Sequence, residues 1–184
     1  MNKLPQGYQE IKKVNLQKDK KIVVIVNIVA LFLMLLLLII GLLIKPISFH
    51  EIVNNPIPLF VILFFLIVYI ILHEVVHGIL IYIYSKRKPK YGFTGLYAYA
   101  GSESYFNKKQ YIIIALSPIV IWGIVLLILN IMLPLKFFWI IYFIQVNNIS
   151  GAAGDLYITQ VINKMPPNVL IKDTGIEMTI YSDL

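Results

Sequence analysis

HEVVH, residues 73–77, lies towards the end of FVILFFLIVYIILHEVVHGILIYIYSKRK, residues 60–88. About 20 consecutive apolar residues suffice for a helix to cross the hydrocarbon core of a bilayer. The run over residues 58–84 exceeds that length, and Glu74 is its one formal charge. A membrane span is therefore predicted here. Ionisable groups at membrane depth are costly and commonly functional, so one glutamate and two histidines within five residues need a chemical reason.

Working outward, 59% of the 184 residues are hydrophobic and only 14% are charged. Soluble domains average nearer 45–50% apolar, so most of the chain is expected in lipid. The length suits one domain over residues 1–184. Four spans are predicted, at about 22–44, 58–84, 111–133 and 135–162. The first is free of charge, and only Asn27 and Gly41 interrupt it. It follows basic residues as a signal peptide would, yet its apolar run is too long and lacks a small-x-small cleavage site. It is read as a retained span. The fourth is the most polar, passing through IYFIQVNNISGAAGDLYITQVI.

Lys and Arg orient the spans, because they gather on the cytoplasmic side. Fourteen of the 16 lie before the first span, between the second and third, or after the fourth. Lys45 and Lys136 alone lie opposite. Both termini are thus expected in the cytoplasm. The net charge of +7 is topogenic on this reading, and no nucleic-acid surface is expected.

Between the second and third spans, PKYGFTGLYAYAGSESYFN alternates aromatic and small residues, with glycines at 92, 95 and 101. That pattern suggests an interfacial β-hairpin over about 91–106, or an ordinary interfacial loop. Pro166-Pro167 should stop the fourth helix, and a small strand pair is expected around Asp173–Gly175 in a short cytoplasmic tail. The N-terminal LPQGYQEIKKVNLQKDKK is read as a surface segment leading into the first span. The fold class is an all-α integral membrane protein with one interfacial hairpin.

Residues i and i+4 of a helix share a face, so His73 and His77 project together. Two imidazoles so placed can hold zinc, with Glu74 beside them as general base; this is the H-E-x-x-H arrangement. Zinc lowers the pKa of its bound water towards neutrality. Glu74 can then accept the water's proton and pass it to a leaving amine. The competing reading is a metal-free hydrogen-bond cluster between helices. The one other histidine, His50, falls in the external loop and is read as an ordinary polar residue.

A catalytic zinc takes a third protein ligand and keeps one position open. The chain has no cysteine, which excludes thiolates and disulfides and leaves a carboxylate. Asp155 is the sole acid in another predicted span. Its depth can be counted. His77 lies nine residues before Lys86, and Asp155 nine residues before Lys164. Both helices run towards the cytoplasm, so the three side chains fall in one slice of the membrane. Near Asp155, the small residues 151–154 suit close helix packing. Asn147 and Asn148 could bond an extended substrate or tie helices together. Ser117-Pro118 should kink the third span, either widening a cavity or adjusting packing.

The HEVVH span, the glycine-rich hairpin, the Pro-containing span and Asn147 eight residues before Asp155 together resemble the site-2 proteases, which are intramembrane zinc metalloproteases. The layout LPQGY…HEVVHG…SGAAGDLY…MPPN…IKDTG looks still more like a family of small bacterial membrane proteins described as zincin peptidases, over nearly the whole chain. The resemblance implies His73, His77 and Asp155 as zinc ligands and Glu74 as base. The site-2 protease pattern N-x-x-P-x-x-x-x-D-G is altered here, with Ser150 in place of the proline and Leu156 in place of the glycine.

The function expected is a zinc-dependent intramembrane peptidase that cleaves a membrane-anchored protein near the cytoplasmic face. The alternatives are a non-catalytic metal-binding adaptor or immunity-type protein, and a metal-handling membrane protein. Zinc is the expected cofactor, although iron or manganese could take similar ligands.

Overall fold

The computed structural model describes residues 3–47, 55–95 and 97–183. His50 and part of the external loop lie outside the described residues. In chain order the elements are β1 (Gln9–Val14), α1 (Lys20–Ile44), α2 (Ile57–Ser85), β2 (Lys90–Phe93), β3 (Ala98–Gly101), β4 (Tyr105–Asn107), α3 (Lys108–Met132), a 3₁₀ turn (Leu135–Phe137), α4 (Phe138–Ser150), α5 (Ala153–Asn163), β5 (Leu170–Asp173) and β6 (Met178–Ser182).

Among the described residues three helices, α1, α2 and α3, are long and apolar enough to cross a membrane. Their ends follow local chemistry. Asp19 caps α1 by accepting from the Lys21 and Ile22 N–H groups. Asn107 and Gln110 form a capping box that starts α3. Lys86 turns left-handed (φ 57°) to end α2. Leu43, Ile131 and Met132 are among many large apolar side chains left exposed, an arrangement that lipid satisfies and water does not.

The segment predicted as a fourth continuous span is two shorter helices. α4 stops at Ser150 and α5 starts at Ala153. The small residues Gly151 and Ala152 carry the break, and hydropathy is blind to it because they are as apolar as their neighbours. α4 is the hub of the bundle and packs against α1, α2 and α3, while α5 packs against α3 and α1. The seam between α1 and α4 is close: the Tyr142 hydroxyl donates to the Leu37 carbonyl at 2.7 Å, and the Tyr142 ring lies against Gly41.

One end of the bundle is closed by an antiparallel four-stranded sheet in the order β1-β6-β5-β4. The N-terminal segment is thus not a free surface leader. Its strand β1 pairs with β6 through Gln9–Ser182 to Val14–Met178. β5 and β6 pair on either side of a turn at Gly175 (φ 87°). β4, at the end of the predicted hairpin region, leaves that hairpin and joins β5. The hairpin itself is β2 with β3, registered Lys90–Gly101 to Phe93–Ala98. Because β4 precedes α3, β5 follows α5 and the two strands pair, α4 and α5 together return the chain to the end where α3 began. The sheet's inner face (Val14, Phe106, Ile171, Met178, Ile180) packs with Ile114 of α3 and Ile162 of α5 in one core.

Candidate metal centre

His73 and His77 lie one turn apart on α2, both buried, with ring centroids 4.9 Å apart. Asp155 stands in the first turn of α5, a position whose exposed N–H groups favour a carboxylate. Its Oδ2 lies 3.4 Å from His73 Nε2 and 3.7 Å from His77 Nε2. The three ligand atoms lie within 4.8 Å of one another. The depth match counted along the chain is therefore met in space, although α5 reaches it from a fresh helix start.

Which ring nitrogens face Asp155 follows from their other partners. His77 Nδ1 is 2.8 Å from the Ile114 carbonyl. A carbonyl can only accept, so Nδ1 carries a proton, and in the neutral ring Nε2 presents its lone pair. The His73 case is a relay. Asn148 Nδ2 donates to the Ile119 carbonyl at 3.1 Å, which orients the amide. The Tyr69 hydroxyl then donates to Asn148 Oδ1 at 2.8 Å. That leaves its oxygen to accept from His73 Nδ1, also 2.8 Å away. In the neutral rings both Nε2 atoms are thus acceptors, and both point at a carboxylate.

With both rings neutral, three acceptors facing one another repel unless a metal ion or a proton lies between them. The separations of 3.4 and 3.7 Å exceed ordinary N–H···O hydrogen bonds of ~2.7–3.2 Å. They match the edge of a tetrahedron whose ligands sit ~2.0–2.1 Å from a central ion, roughly 3.3 Å. No Lys or Arg pairs with Asp155 among the described residues. The donor set and its spacing therefore fit a metal ion better than a hydrogen-bond cluster.

The remaining predicted residues divide. Glu74 lines, with His73, His77 and Asp155, a cavity of about 640 Å³ and faces the Ala100 backbone N–H of β3, outside the set of ligand atoms. Asn147 also lines the cavity. Asn148 is fully buried and both ends of its amide are engaged. This is the helix-tying arrangement, the second of the two roles open to Asn148 in the sequence. Pro118 is buried within a continuous α3.

Two features escaped the sequence reading. Tyr69 is one turn before His73, so the stripe Tyr69–His73–His77 was visible at four-residue spacing. Asp173 was set aside as part of a terminal tail, but the sheet brings it to the cavity. There Tyr111 donates to its Oδ2, and the Gly175 N–H to Oδ1 at 2.7 Å. Burial raises the Asp173 carboxyl above its ordinary value, against those two hydrogen bonds. The hairpin closes over the site through small residues. A Cβ on Gly78 would meet the Tyr91 hydroxyl, and one on Gly101 would strike the Thr174 backbone.

A protein-family model described as "Putative zincin peptidase" matches residues 66–170. That stretch is more than half of the chain and contains HEVVH, the hairpin, α3, α4 and α5. The chain belongs to this family. No curated protein and no solved structure matches it. Family membership and the His73–His77–Asp155 group together support a zinc peptidase in general terms.

Proposed function

We propose that this zincin peptidase works within the membrane, as site-2 proteases do, hydrolysing a peptide bond of a membrane-anchored protein near the cytoplasmic face. The observation that carries this reading is the convergence of His73 Nε2, His77 Nε2 and Asp155 Oδ2 at the depth of the apolar helices, with Glu74 beside them. His73, His77 and Asp155 would hold zinc, which when bound acidifies water and polarises a carbonyl. Glu74 takes a proton at its carboxylate and returns it to the departing amine. Its N–H partner on β3 holds that carboxylate at the cavity wall.

Helices α4 and α5 act as the fourth pass, so both termini lie in the cytoplasm, in line with the Lys and Arg count. An extended substrate lies along the cavity. Asn147 is placed to bond its backbone, and β3, which lines the cavity through Ala98, Tyr99 and Ala100, offers an edge strand. Helical backbone is already hydrogen-bonded, so the scissile segment must unwind first.

Two measurements test this reading. Purified protein should contain zinc, and Glu74→Gln should keep that zinc while losing cleavage of a co-expressed library of single-span membrane proteins. Wild-type protein that binds no zinc would sink the metal site. Cleavage unchanged by Glu74→Gln would remove the peptidase mechanism and leave a metal-binding adaptor.

A further inference from the structure

In an α-helix the N–H of residue i donates to the carbonyl of residue i−4. Proline has no N–H, so a proline inside a helix strips one carbonyl of its partner. In α3 the proline is Pro118, and the carbonyl it leaves unpaired is that of Ile114. Ile114 and Pro118 are both buried, where an unpaired carbonyl is costly. The nearby hydroxyl of Ser117 does not serve it, since it bonds Ile113 at 2.6 Å. The group that does is His77 Nδ1, at 2.8 Å.

We propose that Pro118 is a positioning residue for the metal centre: by withholding a helix N–H it reserves the Ile114 carbonyl for His77, holding that ring in its Nδ1–H tautomer with Nε2 directed at Asp155. The inference rests on reading His73, His77 and Asp155 as the metal ligands. It assigns the buried proline a chemical role in place of a kink. With any ordinary residue at 118, a backbone N–H would claim the same oxygen, and His77 would keep only a shared acceptor. Metal-ligating histidines depend on such outer partners, whose loss typically costs 10–100-fold in metal affinity. His73 is held separately, through Tyr69 and Asn148, and supplies an internal reference.

The test uses full-length protein in detergent, ¹⁵N-labelled at histidine. Ring tautomers are read by NMR without metal, and zinc affinity by competition with a chelator. Wild type should show His77 as Nδ1–H. Pro118→Ala should shift His77 towards a mixture of tautomers, leave His73 unchanged and weaken zinc about 10–100-fold. Alanine is the better helix former, so the variant should fold, and its thermal unfolding checks this.

A second variant carries the α-hydroxy analogue of alanine at 118. It removes the proline ring but puts an ester oxygen where the N–H would be. It should keep the wild-type tautomer and affinity. The proposal is overturned if Pro118→Ala leaves His77 and zinc affinity unchanged, if the ester variant loses as much as the alanine variant, or if wild-type His77 is not Nδ1–H. Wild-type protein that binds no zinc would defeat the metal reading alone, because the metal-free tautomers still decide the role of Pro118.

Discussion

Asp155 and Glu103 are each a carboxylate facing two nitrogenous side chains, and the protein treats them in opposite ways. Glu103 lies at the surface, with Lys90 Nζ at 3.3 Å and Lys172 Nζ at 2.7 Å. Its side chain is 48% exposed, so water and salt share in satisfying it. Asp155, with its side chain 27% exposed, faces two imidazoles whose side chains are only 11% and 10% exposed, and in the neutral rings both direct Nε2 lone pairs at it. The first cluster is complete as it stands. The second is a group that could hold a metal ion. Ion pairs at a surface are worth little, whereas ionisable groups gathered among apolar helices are commonly functional.

The largest expected effect is at Asp155. Asp155→Ala removes a ligand outright, and zinc retention should fall by more than the ~10–100-fold that outer-shell partners are worth. Metal analysis of the purified variant beside wild type reads this, and full occupancy would show that another residue completes the site. Glu74→Gln comes next. Loss of the base should slow cleavage by about 10²–10⁴-fold while zinc content stays at the wild-type level, which separates chemistry from binding within one cluster.

Tyr69→Phe is smaller and sharper. It keeps the ring packed against Trp122 but deletes the oxygen that receives His73 Nδ1–H, and zinc affinity should fall about 10–100-fold in a protein that still folds. An unchanged chelator titration would break the relay from His73 to Asn148. The smallest effect is at Glu103. Glu103→Gln should change stability by only about 0.2–1 kcal/mol, less in high salt, with zinc content unaltered. Hydrogen bonds from Lys172 and Lys90 lower the Glu103 carboxyl below its ordinary 4.5. What stability it adds is therefore present above pH 4.5 and lost as the pH falls below it. Thermal unfolding at pH 7 and pH 3 measures the difference between wild type and variant, which should shrink at the lower pH.

The two clusters also differ in how far the sequence foretold them. Asp155 was found by elimination, from the absence of cysteine and the scarcity of acids at membrane depth. The Glu103 network was not foreseen, because Lys90 and Lys172 meet only after β2 and β5 have been placed by different pairings. Likewise β1 could not be recognised as a strand, since its partner β6 lies at the far end of the chain and its own pattern of Lys and apolar residues is short. The break at Gly151–Ala152 was hidden by uniform hydropathy. Asn148 could not be told from Asn147 as a helix tie, because adjacent residues of a helix point in different directions and only packing decides which is buried.

The sequence by itself determined the three long apolar helices, the shared face of His73 and His77, and the common depth of Asp155. Each depends on helix rise, helix periodicity or the cost of charge in lipid, and these act along the chain and can be counted. The tertiary structure alone decided which nitrogen of each histidine faces Asp155, that a proline on another helix frees the carbonyl held by His77, and that Asp173 reaches the cavity. Those are matters of hydrogen-bond partnership between segments distant in sequence. A donor's partner is set by where the backbone of another helix or strand comes to lie, and no local pattern encodes that.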